Sequence, residues 1–215
     1  MKQILYQGCQ IFMNNLFKAI ILLIFMVVST NAQDNSHALL SAVQKKYKSL
    51  NDFTADFNQS LNDKSNVTGK FQYSRGNKLR IELKNSTIYS DGVNLWNYNK
   101  PQKKVVISRV SPDDPSFFSL DKFVFGYPSK SIVTIDKEEG KDVLVLVPLK
   151  NSNLDFKKAK IWVNKDNLMT RIWVESLSGT VMDFQLSNYK LNQSLPGSKF
   201  TFSPPEGTNI IDLRK

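Results

Sequence analysis

One histidine, His37, and one cysteine, Cys9, are all that this 215-residue chain offers toward His/Cys chemistry. Cys9 lies before an apolar run at 19–28 and would leave with a cleaved leader. A Ser-His or Cys-His nucleophile or a His/Cys metal site therefore has nothing to draw on, unless His37 contributes from a frayed end. No phosphate-binding glycine loop and no dinucleotide fingerprint occurs. The acidic pairs Asp113-Asp114 and Glu138-Glu139 are adjacent and read as turn residues. Distant carboxylates brought together by folding would be glycosidase chemistry, the least favoured reading. The residues that remain are suited to binding: alternating apolar side chains, the strand-end arginine Arg75, and a segment crowded with phenylalanine. The expectation is a binding protein, not an enzyme, with no cofactor and no metal.

The elements that must position these residues follow from periodicity. Leu39, Leu40, Val43, Tyr47 and Leu50 fall at spacings of three and four, after Asn35 and Ser36 as candidate caps, and predict one amphipathic helix. From there the period switches to two. Phe53, Ala55 and Phe57 alternate with polar neighbours, as do Val67, Gly69, Phe71 and Tyr73, and then Leu79, Ile81 and Leu83 beyond a turn at 75–77. Asp91-Gly92 suits a tight turn. Further strands are expected at 87–90, 94–98, 103–110, 131–136, 143–147, 156–163, 169–175, 180–186, 199–202 and 208–213. About ten strands with short connections predict antiparallel meanders in one large sheet.

Between two strands, 111–129 has a different character. Pro112, Asp113, Asp114 and Pro115 favour a helix start, and Phe117, Phe118, Leu120, Phe123, Val124, Phe125 and Tyr127 follow. Burying each ring is worth about 1.5–3 kcal/mol, so the segment must fold back onto something apolar. Two readings stand: a cap on the end of the core, or a lid over a lipid-sized cavity.

The apolar run at 19–28, preceded by Lys18 and followed by Ser29-Thr30-Asn31-Ala32, reads as a cleavable signal peptide over 1–32. It is short for a spanning helix, which needs about 20 apolar residues; an uncleaved anchor is the alternative. Met13 opens a more ordinary leader and is the alternative initiator. Cleavage after Ala32 leaves one domain, 33–215, expected outside the cytoplasm. It also removes Lys2 and Lys18 and no acid, so the formal charge of +10 becomes +8. The basic residues are scattered among acids, unlike the concentrated stripe of a nucleic-acid binder. They read as a solvated face, or as a surface attracted to anionic lipid or an acidic partner.

Four stretches carry a family likeness, in order along the chain: Phe53-Thr54-Ala55-Asp56-Phe57-Asn58-Gln59; Gly69-x-Phe71-x-Tyr73-x-Arg75; Ser90-Asp91-Gly92-x-x-Leu95-Trp96-x-Tyr98; and Lys199-Phe200-Thr201-Phe202-x-Pro204-Pro205-x-Gly207. With these the sequence resembles the LolA family of periplasmic lipoprotein carriers. The resemblance implies an α+β fold, mostly β with short helices: a single strongly curved antiparallel sheet, an unclosed half-barrel. Its concave face would be covered by the N-terminal helix and a helical lid insertion at about 111–129. It implies that acyl chains of client lipoproteins sit between sheet and lid, and favours the lid reading. Arg75 matches the family arginine that locks the lid through helix-end carbonyls. Phe71, Tyr73, Leu79, Ile81, Trp96, Phe117, Phe118, Leu120 and Phe123 are assigned to the cavity wall. Partners implied are an inner-membrane ABC-type lipoprotein-releasing complex and an outer-membrane acceptor lipoprotein, with the carrier a monomer and no nucleic acid involved. A carrier of another envelope lipid (phospholipid or glycolipid) and an envelope-stress regulator domain are the alternatives. Gly76 stands where the family has proline and is expected to loosen the backbone that aims Arg75. Leu79 stands where an aromatic is common, which implies a differently shaped pocket.

Overall fold

The structure is a computed structural model that describes residues 35–110 and 119–214. The expected leader and the wall residues Phe117 and Phe118 lie outside the described residues. Helix α1 spans 35–49, and its predicted stripe is its inner side. Val43, Tyr47 and the following Leu50 are buried, with Leu39 and Leu40 packed against the same core. Ser36 does not act as a simple cap: it is buried and its hydroxyl donates to the Val133 carbonyl at 3.2 Å.

Twelve strands follow among the described residues: β1 Asp52–Leu61, β2 Ser65–Ser74, β3 Lys78–Leu83, β4 Ser86–Asp91, β5 Asn94–Asn99, β6 Lys104–Arg109, β7 Ser131–Glu138, β8 Lys141–Pro148, β9 Phe156–Val163, β10 Met169–Ser176, β11 Val181–Leu191 and β12 Asn209–Asp212. They form one sheet in the order β12-β6-β5-β4-β3-β2-β1-β11-β10-β9-β8-β7, whose edges β12 and β7 do not meet. The expected mostly-β, unclosed single sheet is what the chain builds. Two expectations differ. β12 runs parallel to β6, because the chain returns to that edge from the middle of the sheet rather than by a hairpin. The stretch around Lys199 is not a strand: Gly197–Phe200 forms a short 3-10 turn that buries Phe200.

This topology explains the phenylalanine-rich segment. The chain leaves β6, next to one edge, and must reach β7, the opposite edge. The connection therefore has the width of the sheet to span, and its described part lies on the apolar inner face. Its described part makes a helical turn at 120–121, a π-helical turn at Lys122–Gly126 and a 3-10 turn at Pro128–Lys130. Leu120, Phe123 and Val124 are buried.

Strand parity fixes which side chains face inward. Cross-strand pairs Phe53–Tyr73, Ala55–Phe71, Tyr73–Leu79 and Phe71–Ile81 lie on one face, and all these residues are buried in the core with α1. Phe53 sits 5.8 Å from the Phe71 ring, 5.3 Å from Tyr73 and 5.2 Å from Tyr189, with Tyr47 edge-on at 6.2 Å. No helix among the described residues is long and apolar enough to cross a membrane.

Candidate lipid-binding cavity

Helix α1 covers only part of the inner face. Its buried side chains pack with Phe53, Tyr73 and Met169, where β1 and β10 begin and β2 ends. Toward the other end of the same strands the inner face is left open beneath the crossing segment, and a cavity of about 320 Å³ remains. Its floor is Phe57, Ile81, Ile88, Leu95, Val174 and Phe184, and its roof is Phe123 and Tyr127 with Phe156. Gln59, Asn97, Asp155 and Ser176 bring polar groups to its lining. A small apolar chamber with a few polar groups is the ordinary form of a ligand site. Its chemistry is suited to a hydrocarbon chain.

The roof is tied down by polar bonds. Tyr73 donates to Asp121 Oδ1 at 3.0 Å, and Gln44 Nε2 donates to the Val124 carbonyl at 3.0 Å. The Lys48 ammonium lies 5.4 Å from the Phe125 ring centre. Burial and the neighbouring Asp121 carboxylate hold the Tyr73 hydroxyl well above its ordinary range, so it stays a donor. Burial, with Asp155 nearby, pushes Tyr127 up to about 12. Helix α1 is fixed to the sheet by a second set. The Met169 amide donates to Tyr47 Oη at 3.2 Å, and Tyr189 donates to the Met169 carbonyl at 2.6 Å. Met169 pairs with Val163 just before a register shift, and the two tyrosines bond its main-chain N–H and carbonyl there. Burial pushes Tyr47 up to about 12.

Arg75 holds α1 rather than the crossing segment. Its Nε donates to the Leu50 carbonyl and its Nη2 to the Lys48 carbonyl, both at 2.7 Å. The expected multidentate grip on helix-end carbonyls is present, but at the C-terminus of α1, where four carbonyls lack intrahelical partners. The crossing segment is instead held by Tyr73 and Gln44. Gly76 does not loosen this aim. Gly76 at φ +82 and Asn77 at φ +57 make the tight β2–β3 turn, and proline, locked near φ −65°, would not fit. Arg75→Leu should free the last turn of α1 and cost about 1–2 kcal/mol after allowing for exposure. Chemical denaturation and a fluorescent hydrophobic probe check this; unchanged stability with unchanged probe binding would remove Arg75 from the closure.

Of the other residues assigned to the wall, Ile81 and Phe123 line the cavity. Phe71, Tyr73, Leu79 and Leu120 are buried in the packed core beside it. Trp96 is a correction. Ile88 pairs with Asn97 and Tyr89 with Trp96, so Asn97 faces inward and Trp96 outward, on the side of Tyr89 and Tyr98. There Phe202 stacks 5.2 Å from Tyr89 and 4.8 Å from Tyr98. The C-terminal Lys-Phe-Thr-Phe stretch thus covers the outer face of β4 and β5. Phe57, Ile88, Leu95, Val174 and Phe184 were not assigned, although continuing the parity from Ile81 strand by strand reaches them.

A larger depression of about 750 Å³ lies on the outer face around Asp56, Lys70 and Arg171. Two of its cations are paired, Lys70 with Asp56 and Arg171 in a bidentate pair with Asp183, with the Arg171 guanidinium 4.4 Å from the Trp162 ring. It is a wide, charged depression with no roof of aromatic side chains, less suited to an acyl chain than the roofed chamber.

Comparison with known proteins agrees with this geometry. The family model described as outer membrane lipoprotein carrier protein LolA matches residues 48–203. An outer-membrane lipoprotein carrier protein of Legionella pneumophila (strain Lens) is 25% identical over 209 residues, covering 93% of this chain and 99% of that protein. Another, of Francisella tularensis, is 26% identical over 215 residues, covering 92% of this chain and 98% of that protein. Among solved structures, an uncharacterized conserved protein from Thermus thermophilus shares the fold, with a TM-score of 0.55 at 13% identity over 83% of this chain and 99% of that one.

Proposed function

The chain belongs to the LolA family of outer-membrane lipoprotein carrier proteins, and from that premise we propose that it carries lipoproteins across the periplasm by holding their acyl chains in the cavity beneath the crossing segment. The observation that carries this reading is the 320 Å³ apolar chamber roofed by Phe123 and Tyr127. An acyl chain gains about 0.8 kcal/mol for each methylene it buries, so even a partly enclosed chain is held firmly. Among the described residues Tyr73 and Gln44 fasten the roof by single hydrogen bonds, which an entering chain can displace. In this reading 111–129 is the lid, and the chain acts without catalysis. Its client comes from an inner-membrane ABC-type releasing complex and passes to an outer-membrane acceptor.

Native mass spectrometry of the protein isolated from its host's envelope tests this. Acylated lipoproteins should co-purify in equimolar amount. Recovery of free phospholipid or glycolipid alone would replace the lipoprotein reading with that of a lipid carrier, and a stable protein partner on an empty cavity would favour a regulator.

A further inference from the structure

The cavity lies toward one end of the sheet, where Gln59, Leu83, Asp155, Ser176 and Met182 line it from strand ends and a loop, and neighbouring loops at that end are joined by main-chain bonds. Leu149 N–H donates to the Lys130 carbonyl, Leu177 N–H to Asp155, Asn62 N–H to Val181, Lys100 N–H to Asn85 and Asn209 N–H to Lys103. The β1–β2 hairpin is the farthest projection on its β3 side: β2 begins at Ser65, but β3 pairs with it only from Gly69 onward. This rim is unusually apolar. Seven of the nine large hydrophobic side chains exposed among the described residues lie on it or within three residues of it, Val93 and Leu213 being the exceptions. Leu61 is 41% exposed, Leu149 48% and Leu177 62%, each on a different loop or strand end. Leu61 pairs with Met182 and Val67 with Gln59, so their side chains continue the cavity's own face outward.

Between the leucines stand exposed lysines: Lys64, Lys84, Lys100, Lys103, Lys130 and Lys150. None of the ion pairs among the described residues uses them; those pairs lie on the strands and at the far end, as in Lys160–Glu138 and Arg214–Asp212. Lys100 instead donates to the Leu83 carbonyl at 2.7 Å, which keeps its charge at the cavity's edge. Asp63, Asp155 and Glu206 are the rim's acids, and they leave the basic groups in excess.

We infer that this rim is a docking edge for an anionic lipid bilayer, seated so that the cavity opens onto the membrane. Apolar side chains on separate loop tips with cations between them are suited to a bilayer, where each leucine enters the acyl boundary while neighbouring lysines meet phosphates. A stable protein interface would call for a continuous complementary patch of about 1,000 Å² or more, which scattered tips do not offer; the brief hand-over contacts of a carrier need less. The contact is reversible by design of scale: few leucines enter, and each lysine at an anionic surface contributes roughly fivefold in partitioning. This inference concerns the surface and stands or falls separately from the identity of the cargo.

Flotation of the chain from Gln33 onward, which contains every described element, with vesicles of phosphatidylcholine alone or mixed with phosphatidylglycerol tests it. Binding should require phosphatidylglycerol and weaken with salt. The double variant Leu61→Asp, Leu177→Asp should reduce it at least about tenfold, and Lys100→Glu, Lys150→Glu likewise. Val93→Asp, Leu213→Asp, equally exposed at the opposite end, should change it less than twofold. Absence of binding to either vesicle, equal loss from both pairs of aspartates, or rim variants that abolish capture of a protein partner while vesicle binding stays nil would each overturn the inference. Circular dichroism of each variant identifies any that lose binding by unfolding, and the lysine pair, on exposed loops, provides the second, independent probe.

Discussion

Phe53→Ala should destabilise the fold by about 3–5 kcal/mol, the cost of truncating a buried aromatic whose surroundings cannot close the void. Phe53 is fully buried and touches the rings of Tyr47 from α1, Phe71 and Tyr73 from β2, and Tyr189 from β11. No one of these can move into the space without leaving another contact. Native domains are stable by only about 5–15 kcal/mol, so the variant should show a large fall in urea midpoint with little change in slope. A loss below about 1 kcal/mol would mean that the aromatic cluster is not the hinge between helix and sheet. The stacking with Tyr73 adds a second effect. Tyr73 also holds Asp121, so the variant should admit a hydrophobic probe more readily at temperatures well below its unfolding.

Ile88→Trp should act in the opposite way, leaving the fold in place and removing the room for cargo. Ile88 is half-buried on the inner face, between Ile81 on β3 and Asn97 on β5, and lines the cavity. An indole there is directed into space that is empty, so overpacking should cost no more than about 1–3 kcal/mol. Affinity for a fluorescent fatty-acyl probe should fall by at least about tenfold, since each methylene denied burial forfeits about 0.8 kcal/mol. Lipoprotein recovered with the protein from its host should fall with it. Normal cargo on a folded tryptophan variant would place the acyl chains elsewhere.

How far the sequence speaks differs between fold and site. The period-two alternation of Phe53, Phe71, Tyr73, Leu79 and Ile81 states the inner face directly, because a strand has only two faces and water selects between them. The helix is legible for the same reason, through Val43, Tyr47 and Leu50. The site is less so. A cavity is the place where side chains fail to fill space, and which buried residues line it depends on where α1 stops. That is why Phe71 and Leu79 belong to the core while Leu95 and Val174 line the chamber. Trp96 shows how composition misleads: the bulky residue faces outward and its polar neighbour Asn97 inward, a parity that follows only from counting across the turn at Asp91-Gly92. That turn is tightly specified, since a Cβ on Gly92 would lie 2.2 Å from the Gly76 carbonyl oxygen. The partner of Arg75 was hidden for a different reason. An arginine at a strand end suits any nearby helix terminus, and the 25–27 residues back to Leu50 and Lys48 carry no signal of which one.

The strand order also dictates when the fold can be completed. β1 and β11 pair in the middle of the sheet, yet Phe53 meets Leu191 across most of the chain. The early meander β1–β6 can form its hairpins as soon as they are made, and so can β7–β11, but neither half has a finished inner face. Joining them requires closing a loop of well over a hundred residues, a slow step for any chain dominated by distant pairings. The centre seam cannot zip until the C-terminal half of the chain has been made, so topology alone holds the last step of the fold to the end of synthesis.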